Sequence, residues 1–222
     1  MAIDAEFLKS IPYFAGLSLT EIDSVRKLVL EKKLERREIV IYEGEPAEAV
    51  YFVVSGALKL SKTSAEGKEQ ILSILRPGDS FNDVPVFDDG PNPASAQAMG
   101  PVVLYELSKS DFKTLVQDNT IVSANTITVL AEQVRQLVFL VEDLSFRHVI
   151  GRVARILLEY ADGAAPGARL TQQDMAAMAG TAREVVGRSL KTLEQDSLIK
   201  FDRHRIVIID REALQEMAES PL

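Results

Sequence analysis

Cysteine is absent from all 222 residues of the chain. That excludes disulfides, thiolate zinc sites, cysteine-ligated Fe–S clusters and cysteine nucleophiles, and it is consistent with a reducing compartment. Histidine is nearly as scarce. His148 and His204 are the only two, too few for a histidine-rich metal site. No apolar run approaches the roughly 20 residues that span a bilayer, and the opening MAIDAEFLKS is no signal peptide. A cytoplasmic location is expected. Gly and Pro number 12 and 9, near average, so a collagenous chain is excluded. What remains is 46% hydrophobic and 26% charged, enough for one large globular domain or two small ones. No nucleophile elbow, phosphate loop or metal motif occurs, and no enzyme is expected. Asp88-Asp89 and Glu142-Asp143 read as turn and surface charges.

The net charge of −8 is unevenly spread. Residues 1–119 carry −6, whereas 120–149 and 150–222 carry −1 each. Within the last part, 183–205 holds six basic side chains against four acidic. A footprint on nucleic acid depends on the local patch, not the total. Charge alone, however, favours a solvated face.

Glycines at 44, 56, 67, 78, 90 and 100 recur at intervals of 10 to 12. Between them lie β-rich runs at 38–42, 49–55, 57–63, 70–75, 95–99 and 102–107. Short strands at that spacing with turn signals predict an all-β barrel or sandwich. Ahead of it, 4–9 and 20–31 carry helical periodicity, the second opening near Ser18. Ser108-x-x-Asp111 resembles a capping box opening a short helix. Ile127, Leu130, Val134, Leu137, Val141 and Leu144 then follow at alternating steps of 3 and 4. That is an a/d seam of about two and a half heptads. Val138, Phe139 and Leu140 widen it, so that one face can pack on the barrel and another can meet a twin helix.

The last third reads as a winged helix-turn-helix. Apolar spacing predicts a helix over 152–160, ended by the Gly/Pro-containing loop 161–169. Thr171-x-x-Asp174 is a capping box for a helix over 172–179, Gly180 is the turn, and Thr181 is expected to cap a second helix to about Gln195. There Val186, Leu190 and Leu193 share one face, with Arg183, Glu184, Arg188 and Lys191 opposite. Gly187 between them lets the backbone approach a surface closely. Leu198–Phe201, a tight Asp202–Arg203–His204 and Arg205–Ile209 form the wing. Arg matches the O6/N7 edge of guanine, and Glu can accept from the N4 amino group of cytosine. Glu184 has a competing reading as the capping-box partner of Thr181.

The segment 170–199, LTQQDMAAMAGTAREVVGRSLKTLEQDSLI, resembles the DNA-binding domain of the Crp/Fnr family of transcription regulators. Glu43-Gly44-Glu45-Pro46, Tyr51 to Lys59, Glu66-Gly67-Lys68-Glu69 and Leu75-x-Pro77-Gly78-Asp79-x-Phe81 are similar to its β-roll motifs, in the same order. The resemblance implies an α+β chain: an effector-sensing β-roll over 1–116, a dimerisation helix over 117–147 and a winged helix-turn-helix over 148–222. It implies base contacts from Arg183, Glu184 and Arg188 on an inverted repeat of TGTGA-like half-sites. Phosphate contacts are implied for Thr171, Gln173 and Thr181, with Lys191 and Arg203 beside them. A homodimer and RNA polymerase are the implied protein partners.

The effector cassette departs from the family. Phe81, Asn82, Asp83, Val84, Ala94 and Ser95 occupy its positions, with Asn82-Asp83 for Gly-Glu and Pro93-Ala94 for Arg-Ser. Proline offers neither charge nor N–H, and a phosphate needs charge-assisted donors. Cyclic AMP is therefore not the expected effector. Haem, with CO or nitric oxide sensed, is an alternative, but both histidines lie outside the roll. His148 reads as a partly buried linker residue, leaving Tyr, Met or the terminal amine as ligands. A C-terminal domain that binds protein instead of DNA is the other alternative, and the Arg-Glu-x-x-x-Arg face argues against it.

Overall fold

The computed structural model describes residues 3–163, 170–202 and 205–219. The chain clusters into two compact units: Met1–Lys62 with Ser73–Gln136, and Thr63–Leu72 with Leu137–Ala164 and Arg169–Leu222.

The first unit opens with α1 (Ala5–Ser10), capped by Asp4, a 3-10 turn at Pro12–Phe14, and α2 (Leu19–Leu28). Ser18 and Glu21 close a reciprocal capping box on α2, satisfying donors that a helix start leaves open. Here the expected helix over 20–31 is corrected, because residues Val29–Leu34 form β1, paired antiparallel with β8 (Val102–Ser108). Leu28 and Val29 extend the apolar period of α2, but pairing with the sheet overrides that local signal. The remaining strands are β2 (Ile39–Ile41), β3 (Ala49–Ser55), β4 (Leu58–Thr63), β5 (Glu69–Leu75), β6 (Ser80–Phe81) and β7 (Ser95–Ala98). They form two four-stranded sheets ordered β1-β8-β3-β6 and β2-β7-β4-β5. Gly56, in the turn between β3 and β4, has φ 86°. A Cβ there would sit 2.4 Å from the Pro101 carbonyl oxygen, so only glycine fits.

Alternation along β3 divides its side chains between two cores. Tyr51 and Val53 join Leu58, Phe81, Ala96 and Leu104 between the sheets. Val50 and Phe52 face the other way, against Tyr13, Phe14, Ile22, Phe112, Val122 and Val129. The β-roll thus has a sandwich interior and an outer face covered by helices. α3 (Val84–Asp88), which sequence periodicity did not reveal, and α4 (Lys109–Asp118), capped by Ser108, complete this layer.

α5 (Thr120–Phe146) is the long helix. Its segment 120–136 clusters with the first unit and 137–146 with the second. Val122, Thr126 and Val129 are buried on the helix layer. Ile127, Val134, Leu137, Val138 and Val141, on another face, are 52–70% exposed. The seam positions Leu130 and Leu144 are half-buried.

The second unit contains α6 (Val149–Gly163), α7 (Gln172–Met178), α8 (Arg183–Gln195), the hairpin of β9 (Ile199–Asp202) and β10 (Arg205–Ile208), and α9 (Arg211–Glu219). α6 is longer than expected at both ends, and the rest of the anticipated loop, 164–169, lies outside the described residues. The core of this unit unites Val153, Leu157, Met175, Val186, Leu190, Leu193, Ile199 and Leu214.

Candidate nucleic-acid interface

α7 begins as its sequence implied. The Thr171 hydroxyl accepts from the Asp174 backbone N–H and donates to the Asp174 carboxylate, which also accepts from the Thr171 N–H. Two open donors of the helix start are thereby satisfied. The same bonds occupy the Thr171 hydroxyl, so a phosphate contact from it requires exchange. Gln173, next along, is exposed.

Between α7 and α8, Gly180 has φ 62°, and a Cβ there would lie 2.8 Å from Leu144 Cδ2. The turn therefore needs glycine both for its left-handed backbone and for room. Leu144, counted in the seam, reaches this turn. The expected cap of α8 is corrected at this point. Ala182, extended at φ −86° and ψ 149°, is the N-cap and supplies no side-chain bond. Thr181, half-buried, instead donates its backbone N–H to the Ala176 carbonyl. Glu184 consequently sits at the second helical position, one short of a capping-box partner, and its competing role as a cap disappears.

α8 separates its faces cleanly. Val186, Ser189, Leu190 and Leu193 are buried, while Arg183, Glu184, Arg188 and Lys191 are exposed. Those four side chains make no hydrogen bond or ion pair among the described residues. Gly187 lies in their midst. Among the described residues, a Cβ there would meet only Gln172 Oε1, at 4.0 Å. Nothing inside the fold requires that glycine, although mid-helix Gly costs about 0.5–1 kcal/mol relative to Ala. Of the wing, Ile199 is buried and Phe201 exposed. Arg203 and His204 lie outside the described residues.

A buried cation braces this unit. Arg152, 8% exposed, donates Nε to the Ala179 carbonyl at 2.9 Å and Nη1 to the Arg147 carbonyl at 2.6 Å. One guanidinium thus joins the end of α7, just before α8, to the chain leaving α5. Burial holds its pKa below the ordinary arginine value. Sequence reasoning assigned Arg152 only to a helix. Two cations on an otherwise apolar repeat, Arg152 and Arg155 beside Val153 and Ile156, were the available signal. His148, expected to be partly buried, is exposed.

In the β-roll, the residues assigned to an effector pocket do not converge. Phe81 stacks on Tyr51 between the sheets, ring centroids 5.1 Å apart. Asn82 has φ 64° and donates Nδ2 to the Ala49 carbonyl, while its Oδ1 is buried with no partner. That left-handed residue turns Asp83 to the helix-covered side, where its carboxylate accepts from Tyr13, Gln133, Ser80 and the Val84 N–H. Val84 is 43% exposed, Ala94 is buried, and Ser95 Oγ accepts from the Glu43 N–H. Beside the altered Pro93-Ala94 pair, Lys62 Nζ lies 3.1 Å from the Pro93 carbonyl and 2.8 Å from the Glu43 carboxylate. Among the described residues no cluster of three or more His, Asp or Glu side chains is arranged to hold a metal ion, and no helix is long and apolar enough to cross a membrane.

Residues 31–119 match the cyclic nucleotide-binding domain family, and 151–217 match the Crp-like helix-turn-helix domain family. The chain is 32% identical over 186 residues to the cAMP-activated global transcriptional regulator CRP of Pasteurella multocida, spanning 79% of this chain and 88% of that one. It is 29% identical to the cyclic AMP receptor protein of Thermus thermophilus, over 95% of this chain and 98% of that protein. The solved structure of FixK2 from Bradyrhizobium japonicum is similar with a TM-score of 0.75 at 26% identity, covering 86% of this chain and 98% of that one.

Proposed function

Because the chain belongs to the Crp/Fnr family of transcription regulators, we propose that it reads an inverted-repeat DNA site as a homodimer and answers to an effector other than cyclic AMP. The observation that carries the reading of DNA is the exposed, unpaired Arg183-Glu184-x-x-Gly187-Arg188 face, with a glycine that its own fold does not need. A smooth, cationic helix start suits the major groove, where residues near the N-terminus of a recognition helix meet base edges. Arg183 and Arg188 each read a guanine, and Glu184 a cytosine. Thr171, Gln173, Thr181, Lys191 and Arg203 serve phosphates and fix the register.

The exposed strip from Ile127 to Val141 supports the dimer. It leaves α5 apolar on a face separate from the one buried at Val122, Thr126 and Val129. Functionally, 1–116 senses, 117–147 joins the two copies, and 148–222 reads DNA, with RNA polymerase as the protein partner. The departure from cyclic AMP rests on Pro93-Ala94, on the pairing of Lys62 with Glu43, and on the commitment of Asp83 to Tyr13 and Gln133.

Selection from random double-stranded DNA tests the first half, with TGTGA-N6-TCACA the expected consensus. Recovery of no enriched sequence would overturn it. Calorimetric titration with cyclic AMP and cyclic GMP tests the second, and saturable micromolar binding of either would refute it.

A further inference from the structure

Asp83 is 2% exposed, and every hydrogen-bond donor on its carboxylate is neutral. Oδ2 accepts from the Tyr13 hydroxyl, from Gln133 Nε2 at 2.8 Å and from Ser80 Oγ at 3.4 Å, and Oδ1 accepts from the Val84 N–H at 3.1 Å. A buried carboxylate is costly unless its lone pairs are met, and here they are met from three separate places. Tyr13 belongs to the N-terminal 3-10 turn, Ser80 to β6, and Gln133 to α5. Gln133 continues the face that α5 buries through Val122, Thr126 and Val129. An apolar side chain there would have extended the core, yet the face ends in a directional amide aimed at one oxygen.

One peptide bond away, Asn82 supplies the other end of a device. Its left-handed backbone and its buried, unpartnered Oδ1 leave the start of the 82–90 segment incompletely satisfied. A donor arriving beside Asn82 would bind one peptide bond from the carboxylate that holds Gln133.

We infer that Asp83 is a positioning residue that latches α5 to the segment beginning at Asn82, and that the Asp83–Gln133 hydrogen bond is where a ligand in the β-roll acts on the long helix. This deepens the regulatory reading above and rests on it for its purpose, though not for its geometry.

The test exploits the asymmetry of the bond. Gln133→Glu sets a second carboxylate against Asp83. Asp83→Asn in the same chain turns the contact round, with Asn Nδ2 donating to the new carboxylate and to the Tyr13 oxygen. Hydrogen exchange is followed by mass spectrometry over 120–136 and 82–90, together with affinity for the selected DNA site at fixed salt. For Gln133→Glu, exchange in both segments is expected to rise together by about tenfold or more, with weaker DNA binding. The double variant is expected to restore both. Gln133→Leu, which removes the donor without adding charge, is expected to fall between and guards against a folding failure of the first variant.

Unchanged exchange, a rise in one segment only, or failure of Asp83→Asn to rescue overturns the latch. If wild-type protein selects no DNA site, the functional reading fails, while the exchange data still decide the latch.

Discussion

Two residues on α8 decide between a surface helix and a reading helix. Gly187 has open space around its missing side chain. Gly187→Ala is therefore expected to stabilise the fold by about 0.5–1 kcal/mol while weakening DNA binding, because the added methyl stands where the backbone must approach a groove. Thermal unfolding and a binding titration on one preparation check both signs, and an Ala variant that binds as well as wild type would remove the argument from close approach. Glu184 offers the second test. With Ala182 as N-cap, no capping bond depends on Glu184. Glu184→Gln should leave stability unchanged and lose discrimination at one base pair, where wrong bases cost about 1–3 kcal/mol, as read by repeating the random-DNA selection. That contrast became available only with the structure. In sequence Thr181 is the favoured helix entry, whereas the extended backbone that makes Ala182 the N-cap is a feature of the structure.

At the scale of elements, what could be read in advance depended on whether a signal was local. β3 is a seven-residue strand, six of its residues hydrophobic, and its ends at Ala49 and Ser55 match the expected run to the residue. The capping box at Thr171 is a four-residue pattern and could be read in the same way, as could the helix start near Ser18. β1 could not, because its sequence VLEKKL follows a helix without a breaker and becomes a strand only by pairing with β8. The surroundings of Asp83 were not legible for a related reason, because the left-handed Asn82 before it and the donors from Tyr13 and Gln133 are tertiary features. α5 shows both cases together. Its heptad seam was visible, and so was the surplus of apolar residues, whereas the division of those residues between two faces is a tertiary fact. Leu137, 52% exposed, lies on the free face. Leu137→Glu should convert the dimer to monomer by placing a charge in the seam, a loss of about 3–5 kcal/mol if the charge is fully buried. Light scattering at micromolar concentration reads the mass, and an unaltered dimer would place the interface elsewhere.

For the whole molecule, the proposed dimer would make stability a property of the solution as well as of the chain. A partner that binds only the folded form raises the unfolding temperature by mass action. The melting temperature is thus expected to increase with protein concentration for wild type and to be independent of it for Leu137→Glu. Calorimetric scans across a hundredfold concentration range distinguish the two. In the proposed complex, two copies of α8 would lie about 34 Å apart, one turn of the duplex, so that a palindromic site would mirror the symmetry of the dimer.

The two hydrophobic cores also differ in when they can form. Every buried member of the cores around the β-roll lies at or before Val129. Every buried member of the other core lies at or after Val153. Synthesis proceeds from the N-terminus, and domains fold largely as they emerge. The roll and the inner face of α5 therefore have all their partners while the DNA-reading helix is still inside the ribosome. The free face of α5 is on offer at the same moment, so the proposed dimer would begin to form between nascent chains on neighbouring ribosomes of one message.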